Sequence, residues 1–323
     1  MTVTLEKPAG RPRSLRRPQL PGARPGRRQA DRRPRPAPRP AGPPSSTDTA
    51  ASVLSTSFTM IAIVCLWMAA QLLFLGSISQ QRAQDLLYGE LRTDLAGATA
   101  PVGPVVPVGD PIALLTIPSL GIEQVVVEGT ASGDLLAGPG HRRDTVLPGQ
   151  VGTSVVYGRA ASYGAPFADL PDLHAGDEIE VTGAQGVATY TVLGVRRAGD
   201  PLPQPVVEGG GRLTLVTAEG AGRLGAIAPE SVVYVDADTT KAYPAPPGRP
   251  SVVPDSEKAM AADAGALPLL ALCLALLLAL TLGVVAARQR WSTALVWVVA
   301  SPLAIALSWA STDVVMRLLP NLI

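Results

Sequence analysis

The sequence predicts a mostly β domain, closed or partly closed into a barrel, that is attached to three transmembrane helices. Three apolar stretches are each long enough to cross a bilayer, for which about 20 residues suffice. Between the first two lies a series of short segments rich in Val, Ile, Thr and Tyr and bounded by Gly, Pro and Asp, a pattern typical of β-strands. No helical period interrupts that series, so we expect an all-β unit.

The composition agrees with this class and excludes several others. Hydrophobic residues make up 47% of the 323 residues and charged residues only 16%. The chain has two cysteines and two histidines, which excludes a disulfide framework and argues against a Cys/His zinc site. We therefore expect no metal and no cofactor.

The predicted membrane spans are residues 57–79, 264–287 and 291–312, the last two forming a hairpin. Residues 1–50 carry 12 Lys/Arg against 3 Asp/Glu, whereas residues 51–323 carry 15 against 23. Because basic residues near a span stay inside, we expect a plasma-membrane protein with a cytoplasmic N-terminus and an extracellular middle region. A cleaved signal peptide is the alternative to a first anchor, but the basic leader is far longer than that of a signal peptide.

Outside the spans the chain divides into a tail, a folded unit and two linkers. Residues 1–50 contain 11 prolines and 11 arginines and cannot bury enough apolar surface to fold, which predicts disorder. This basic tail either binds anionic lipids of the inner leaflet or a Pro-recognising partner, or serves only to fix the topology. Nucleic acid is not an expected partner, because no aromatic residue interleaves the arginines. Residues 80–109 are predicted to form a stalk and linker, 110–240 the β unit, and 241–263 a Pro-rich linker.

Seven strands are predicted within the β unit, from alternation and from turn residues at their ends. They are Pro111–Ile117, Gln124–Glu128, Thr153–Tyr157, Asp177–Thr182, Thr189–Val195, Arg212–Thr217 and Ser231–Val235.

A set of motifs in this unit resembles the sortase family, most closely the class E-like sortases of actinobacteria. The motifs are Gly138-Pro139-Gly140-His141, Leu147-Pro148-Gly149, Gly152–Gly158, Tyr163-Gly164-Ala165-Pro166-Phe167, Gly176-Asp177-Glu178-Ile179, Leu213–Thr217 and Ser231–Val235. Their order and spacing extend over the whole unit. The resemblance implies a closed eight-stranded barrel outside the membrane and a role in anchoring proteins at the cell wall.

The resemblance also implies a site that this chain does not keep. Sortases use a Cys nucleophile, a His and an Arg that stabilises the developing oxyanion. The position of the Cys is occupied by Ala218 and that of the His by Arg159. The Arg aligns with Ser231, with Arg223 as an alternative surrogate. The chain's cysteines, Cys65 and Cys273, both fall in predicted spans, so no thiol is expected on the extracellular side.

The candidate groove residues are therefore His141, Arg159, Thr217, Ala218, Glu219 and Arg223. If Ala218 faces the groove, Thr217 faces away, because neighbouring strand residues point to opposite sides. Arg159 either receives the carboxylate of a ligand or pairs with Glu219. His141 either contacts the groove or packs in a loop.

Three functions remain open at this stage. The first is a catalytically inactive sortase-like domain that binds a sorting-signal peptide or scaffolds an active sortase. The second is a hydrolase or transpeptidase with a non-Cys nucleophile, for which Ser154, Ser162 and His141 are candidates, although no Gly-x-Ser-x-Gly elbow is present. The third is a structural module in which the membrane hairpin acts by helix packing.

Overall fold

A computed structural model describes residues 62, 66–67, 69–103, 105–220, 229–287 and 290–323. The basic tail 1–50, residues 57–61, 63–65 and 68 of the first predicted span (among them Cys65), and Arg223 lie outside these residues.

Eight strands close into one barrel, which confirms the predicted fold class. Around the barrel their order is β1, β2, β3, β4, β7, β8, β6, β5, and β5 pairs with β1. The pairs β2/β3 and β4/β7 are parallel and the others are antiparallel. The strands are β1 (Pro111–Ile117), β2 (Ile122–Glu128), β3 (Gly140–His141), β4 (Gly152–Tyr157), β5 (Glu178–Gly183), β6 (Gly186–Arg197), β7 (Gly211–Glu219) and β8 (Ser231–Thr239).

The barrel interior is filled by the inward-facing residues of each strand. Strand β6 alternates between buried and exposed side chains over most of its length, as its sequence predicts. Strand β7 is different, because almost all of its side chains are buried, so both of its faces are covered. The inward face of β7 joins the core inside the barrel, and its outward face packs against segments from elsewhere in the chain.

Strand β3 was not predicted. It has only two residues, Gly140 and His141, and lies between β2 and β4. A hypothetical Cβ on Gly140 would lie 2.1 Å from the carbonyl oxygen of Gly129, so the strand can approach that backbone only with a glycine here. A two-residue strand is too short to show any alternation, which is why the Gly-Pro-Gly-His segment looked like a turn.

Helix α1 (Gly76–Gly97) follows a π-helical turn at Gln71–Leu75 and is docked on the barrel. Its Gln84 side chain donates to the carbonyl oxygens of Val125 and Ala137, at 3.1 and 2.8 Å, and accepts from the backbone N–H of Val125 at 2.7 Å. The stalk helix is therefore fixed against β2.

Two helices follow the barrel, α2 (Leu267–Ala287) and α3 (Thr293–Arg317). Both are long and apolar enough to cross a membrane, and most of their side chains are exposed in the structure. The C-terminal end of α3 is hydrogen-bonded to loops of the barrel domain. Tyr163 donates from its hydroxyl to Asp313 at 2.6 Å, and Ser132 donates from its hydroxyl to the carbonyl oxygen of Met316 at 3.1 Å.

Candidate functional site

The outward faces of β4, β7 and β8 carry a second apolar cluster outside the barrel core. On β7, Leu213 and Leu215 belong to the interior core, whereas Val216 and Ala218 belong to the outer cluster. Tyr157 of β4 lies in the same outer cluster. Because side chains alternate along a strand, Thr217 shares the inward face of Leu213 and Leu215. This agrees with the expectation that Thr217 and Ala218 point to opposite sides.

The outer cluster is covered by a segment from the far end of the sequence, Asn321–Ile323. The side chain of Leu322 is completely buried and is part of the cluster that contains Ala218, Tyr157 and Val216. The backbone N–H of Ala160 donates to the carbonyl oxygen of Leu322 at 2.9 Å. We call the surface that receives Asn321–Ile323 the outer groove.

Arg159 lies at one end of the outer groove, directly after β4. Its guanidinium donates to the backbone carbonyl oxygen of Ile323 at 2.8 Å and to the hydroxyl of Ser162 at 2.9 Å. It also donates to both the carbonyl and the hydroxyl oxygen of Ser132, each at 2.8 Å. Ser162 in turn donates from its hydroxyl to the carbonyl oxygen of Ile323. One cation thus joins two barrel loops to the inserted segment.

Arg159 is fully buried, yet none of its hydrogen-bond partners in the described part of the chain is an Asp or Glu side chain. Burial lowers the pKa of the guanidinium to about 10, and the nearby Tyr163 ring opposes that shift. The group therefore remains charged at neutral pH. A buried cation without an Asp or Glu partner is well suited to receive a main-chain oxygen or an anion from a ligand.

The loop that follows Arg159 has an unusual backbone. Tyr163, Gly164 and Ala165 all have positive φ, of 51°, 78° and 44°, and non-glycine residues seldom adopt such values. Gly158 is needed for another reason, since a Cβ there would lie 2.3 Å from the Phe167 ring. This tight turn brings Arg159 and Ser162 to the same side, where both reach Ile323.

Residues 115–237 match the sortase domain. The barrel has the sortase fold, and the sortase domain occupies the part of the chain in which the sequence motifs were found. No curated protein matches the chain.

Several solved sortases are similar to the chain. Sortase E from Streptomyces avermitilis is 31% identical, covering 42% of this chain and 91% of that one, with a TM-score of 0.33. The sortase D5 transpeptidase of Clostridium perfringens is 22% identical, covering 48% and 97%, with a TM-score of 0.40. Clostridium perfringens sortase C, solved with the C-terminal cell wall sorting motif, is 20% identical, covering 49% and 87%, with a TM-score of 0.36.

Of the six candidate groove residues, the structure brings Arg159 and Ala218 to the outer groove. Glu219 forms its ion pair with Arg197, with an N···O distance of 2.6 Å, so the alternative pair between Arg159 and Glu219 does not form. Ser231, the position aligned with the family's arginine, lies opposite Glu219 on β8 and is half-buried. Arg223 lies outside the described residues.

His141 is buried in a hydrogen-bonded group with Glu128, Thr145 and Val146. Its Nδ1 lies 2.8 Å from Glu128 Oε2, and its Nε2 lies 2.8 Å from the carbonyl oxygen of Val146 and 3.0 Å from the hydroxyl of Thr145. None of these partners belongs to the outer groove. Of the two roles considered for His141, the contacts favour packing in a loop.

The sequence alone did not indicate that Ser132 and Ser162 are hydrogen-bond partners of Arg159, or that the segment Asn321–Ile323 covers the outer groove. The 11 residues after the last predicted span looked like a short extracellular tail. Their position depends on contacts between residues more than 160 positions apart, which no local pattern reveals. Among the described residues, no group of three or more His, Cys, Asp or Glu side chains could hold a metal ion.

Proposed function

We propose that this chain is a membrane-anchored, extracytoplasmic sortase-like protein that binds peptide without performing transpeptidation. The observation that carries the proposal is the pair of residues in the outer groove, Ala218 and Arg159, at the positions that the motifs align with the family's Cys and His. The groove holds a short segment of the chain, Asn321–Ile323, and offers no nucleophile from β7.

The chemistry of these two residues argues against the family's reaction. A methyl group at Ala218 has no lone pair with which to attack a carbonyl carbon. Arg159 keeps its proton at neutral pH and cannot act as a general base. Both cysteines lie in predicted spans, and Cys273 is buried within α2. Arg159 can instead serve as a fixed hydrogen-bond donor to a bound ligand.

The alternative function, a hydrolase or transpeptidase with a non-Cys nucleophile, would need a Ser or Thr hydroxyl activated by a general base. Thr145 is the hydroxyl next to His141, but it donates to the carbonyl oxygen of Arg142 at 2.7 Å. The His141 nitrogen nearest to it also faces the carbonyl oxygen of Val146, to which it donates, so it offers no lone pair for the proton of Thr145. Ser162 accepts from the guanidinium of Arg159 and donates to the main-chain oxygen of Ile323, so its described hydrogen-bond partners include no His, Asp or Glu side chain that could act as a general base. These contacts favour binding over catalysis.

The remaining parts of the proposal come from the sequence. The basic residues 1–50 place the N-terminus in the cytoplasm, with the inner leaflet's anionic lipids as a partner, and the sortase domain outside the plasma membrane. The class E-like, actinobacterial and cell-wall assignments rest on the motifs. An active sortase is a second candidate partner, which the barrel would scaffold. A purely structural role for the α2–α3 hairpin is the remaining alternative.

Mass spectrometry of peptide products tests the absence of catalysis. The full chain in lipid nanodiscs is incubated with a panel of sorting-signal peptides and an amine nucleophile, with and without iodoacetamide. We expect every peptide to be recovered intact. Cleavage that survives iodoacetamide would contradict the proposal and support a Ser or Thr nucleophile.

A further inference from the structure

The outer groove is closed by the chain itself, and this closure predicts both how the site is regulated and what it binds. We propose that Asn321–Ile323 is a built-in ligand of the outer groove, and that an external peptide binds only by displacing it. This inference rests on the peptide-binding function proposed above. The segment forms a turn, in which the backbone N–H of Ile323 donates to the carbonyl oxygen of Pro320 at 3.2 Å. The ligand that the inference predicts is a peptide with a similar turn, a branched apolar side chain at the place of Leu322 and main-chain oxygens that reach Ala160 and Arg159.

The segment Asn321–Ile323 makes the kinds of contact that a bound peptide makes, which are backbone hydrogen bonds and one buried apolar side chain, that of Leu322. The carbonyl oxygens of Leu322 and Ile323 accept from the barrel, from Ala160 N–H and from Arg159 with Ser162 respectively. The side chain of Leu322 enters the cluster that contains Ala218. Backbone hydrogen bonds give such a site affinity for a peptide of matching backbone shape, and the pocket for the side chain selects among such peptides.

The linker that follows the barrel contacts the segment Asn321–Ile323 on the side away from the barrel. The amide of Asn321 donates to the carbonyl oxygens of Thr130 and Lys258, at 2.7 and 3.0 Å, and its backbone N–H donates to the carbonyl oxygen of Ala261 at 2.9 Å. Ala259 and Met260 of the same linker pack against the outer cluster. The segment is therefore enclosed between the barrel and residues 258–261.

The end of helix α3 positions the segment Asn321–Ile323 at the outer groove. It ends at Arg317, only four residues before Asn321, and its last turns are tied to the barrel through Asp313 and Met316. A tether this short gives the segment an effective concentration in the millimolar range, so a free peptide of equal intrinsic affinity competes poorly. Withdrawal of the segment exposes the methyl group of Ala218, which is only 4% exposed in this structure.

Thiol labelling measures this closure without any ligand. In the full chain carrying Cys65→Ala and Cys273→Ala, Ala218→Cys places a thiol beneath Leu322. A polar maleimide is applied in nanodiscs, with and without residues 321–323. We expect labelling to be faster by on the order of 10-fold or more after the deletion. The exposed Val187→Cys is the control and should react equally in both backgrounds.

A point substitution repeats the test in a chain of full length. Leu322→Ala removes most of the buried anchor, and Leu202→Ala, at a site 77% exposed, is the matched control. Faster labelling of Ala218→Cys with Leu322→Ala alone supports the proposal. Equal labelling at position 218 with and without residues 321–323, whether fast or slow, would overturn it.

A fluorescent peptide with the sequence of residues 319–323 then tests displacement. We expect it to bind the variant lacking 321–323 at least about 10-fold more tightly than the intact chain. Equal binding to both would overturn the built-in ligand and leave the peptide-binding function intact. A thiol that becomes accessible on deletion, combined with no binding of this or any sorting-signal peptide, would instead contradict the proposed function while the closure stands.

Discussion

Arg159 donates a hydrogen bond of 2.8 Å to the backbone carbonyl oxygen of Ile323, a residue 164 positions further along the chain. The same guanidinium binds both oxygens of Ser132, so it joins the turn after β2, the loop after β4 and the segment that follows α3. In the function proposed above, Arg159 stands at the position of the sortase histidine. A permanent cation here cannot shuttle protons, but it can hold a peptide oxygen in place.

Replacing Arg159 by lysine should destabilise the closed groove although the charge is kept. A single ammonium cannot reach Ser132 and Ile323 in the fork geometry of a guanidinium, so at least one buried oxygen loses its donor. We expect a loss of about 1–3 kcal/mol in the free energy of unfolding, measured by denaturant titration in detergent. Arg82→Lys, at an exposed site on α1, should change it little. An equally small effect at Arg159 would contradict the structural role of the guanidinium.

The contact between Tyr163 and Asp313 should hold α3 against the barrel. Removing the hydroxyl with Tyr163→Phe takes away a donor that lies 2.6 Å from the carboxylate, and hydrogen bonds to charged groups contribute about 1.5–3 kcal/mol. We expect a lower melting temperature and, in the Ala218→Cys background, faster thiol labelling. Tyr88→Phe, at an exposed tyrosine of α1, is the control. Unchanged labelling in Tyr163→Phe would mean that α3 does not position the inserted segment.

The stalk helix should be fixed to the barrel mainly by Gln84. Its amide makes three hydrogen bonds to the backbone of Val125 and Ala137, so Gln84→Ala leaves partly buried backbone groups without partners. The expected cost is about 1–3 kcal/mol of stability. Gln81→Ala, three residues earlier on an exposed position, should be neutral by the same denaturant titration. Hydrogen exchange at Val125 N–H should rise in Gln84→Ala alone, and equal exchange in both variants would contradict the docking.

Asp134 should make stability fall as the pH rises between about 4 and 6. Burial is the main cause that raises its pKa from 3.8 to about 6, with Glu257 adding to the shift and the Ala131 N–H, Arg143 and Arg317 opposing it. Because the folded state binds the proton more tightly than the unfolded one, ionisation through this range costs folding free energy. The cost is absent below about pH 4 and complete above about pH 6.

Asp134→Asn removes that ionisation, and its amide oxygen can still accept from Ala131 N–H. The variant should therefore show a flatter pH profile of unfolding and be more stable than the parent at pH 7, by about 1–2 kcal/mol. Asp172→Asn, at an exposed carboxylate, controls for the change in net charge. A parent and Asp134→Asn variant with parallel profiles would show that Asp134 does not ionise in this range.

The barrel could be predicted from the sequence because its strands follow local patterns. The alternation along β6 and the β-branched runs of β1 and β7 place those strands close to their observed bounds. Strand β3 was not predicted, because two residues are too few to show a strand pattern. Its position is fixed by pairing with β2 and β4. The end of β8 was placed four residues too early, since Asp236 and Asp238 look like turn residues but pair with Arg196 and Arg212.

Only those residues of the site that belong to a recognisable sequence motif could be predicted. Ala218 and Arg159 were identified through the resemblance, and strand alternation predicted that Thr217 and Ala218 point to opposite sides of β7. Nothing local indicates that Leu322 fills the space beside Ala218, because the segment is short, follows a membrane span and becomes ordered only through contacts with distant loops. For the same reason, the sequence left open whether Arg159 pairs with Glu219 or receives the carboxylate of a ligand, whereas in the structure its guanidinium donates to backbone and hydroxyl oxygens.

Methyl NMR at Ala218 tests the central claim, a peptide groove without chemistry, most directly. The chain lacking residues 321–323, in nanodiscs and with labelled alanine methyls, is titrated with sorting-signal peptides, and the peptides are recovered afterwards for mass spectrometry. The account predicts saturable shifts of the Ala218 methyl with at least one peptide, which is recovered intact. An Ala218 methyl that does not respond to any peptide, or a peptide recovered cleaved, would contradict it.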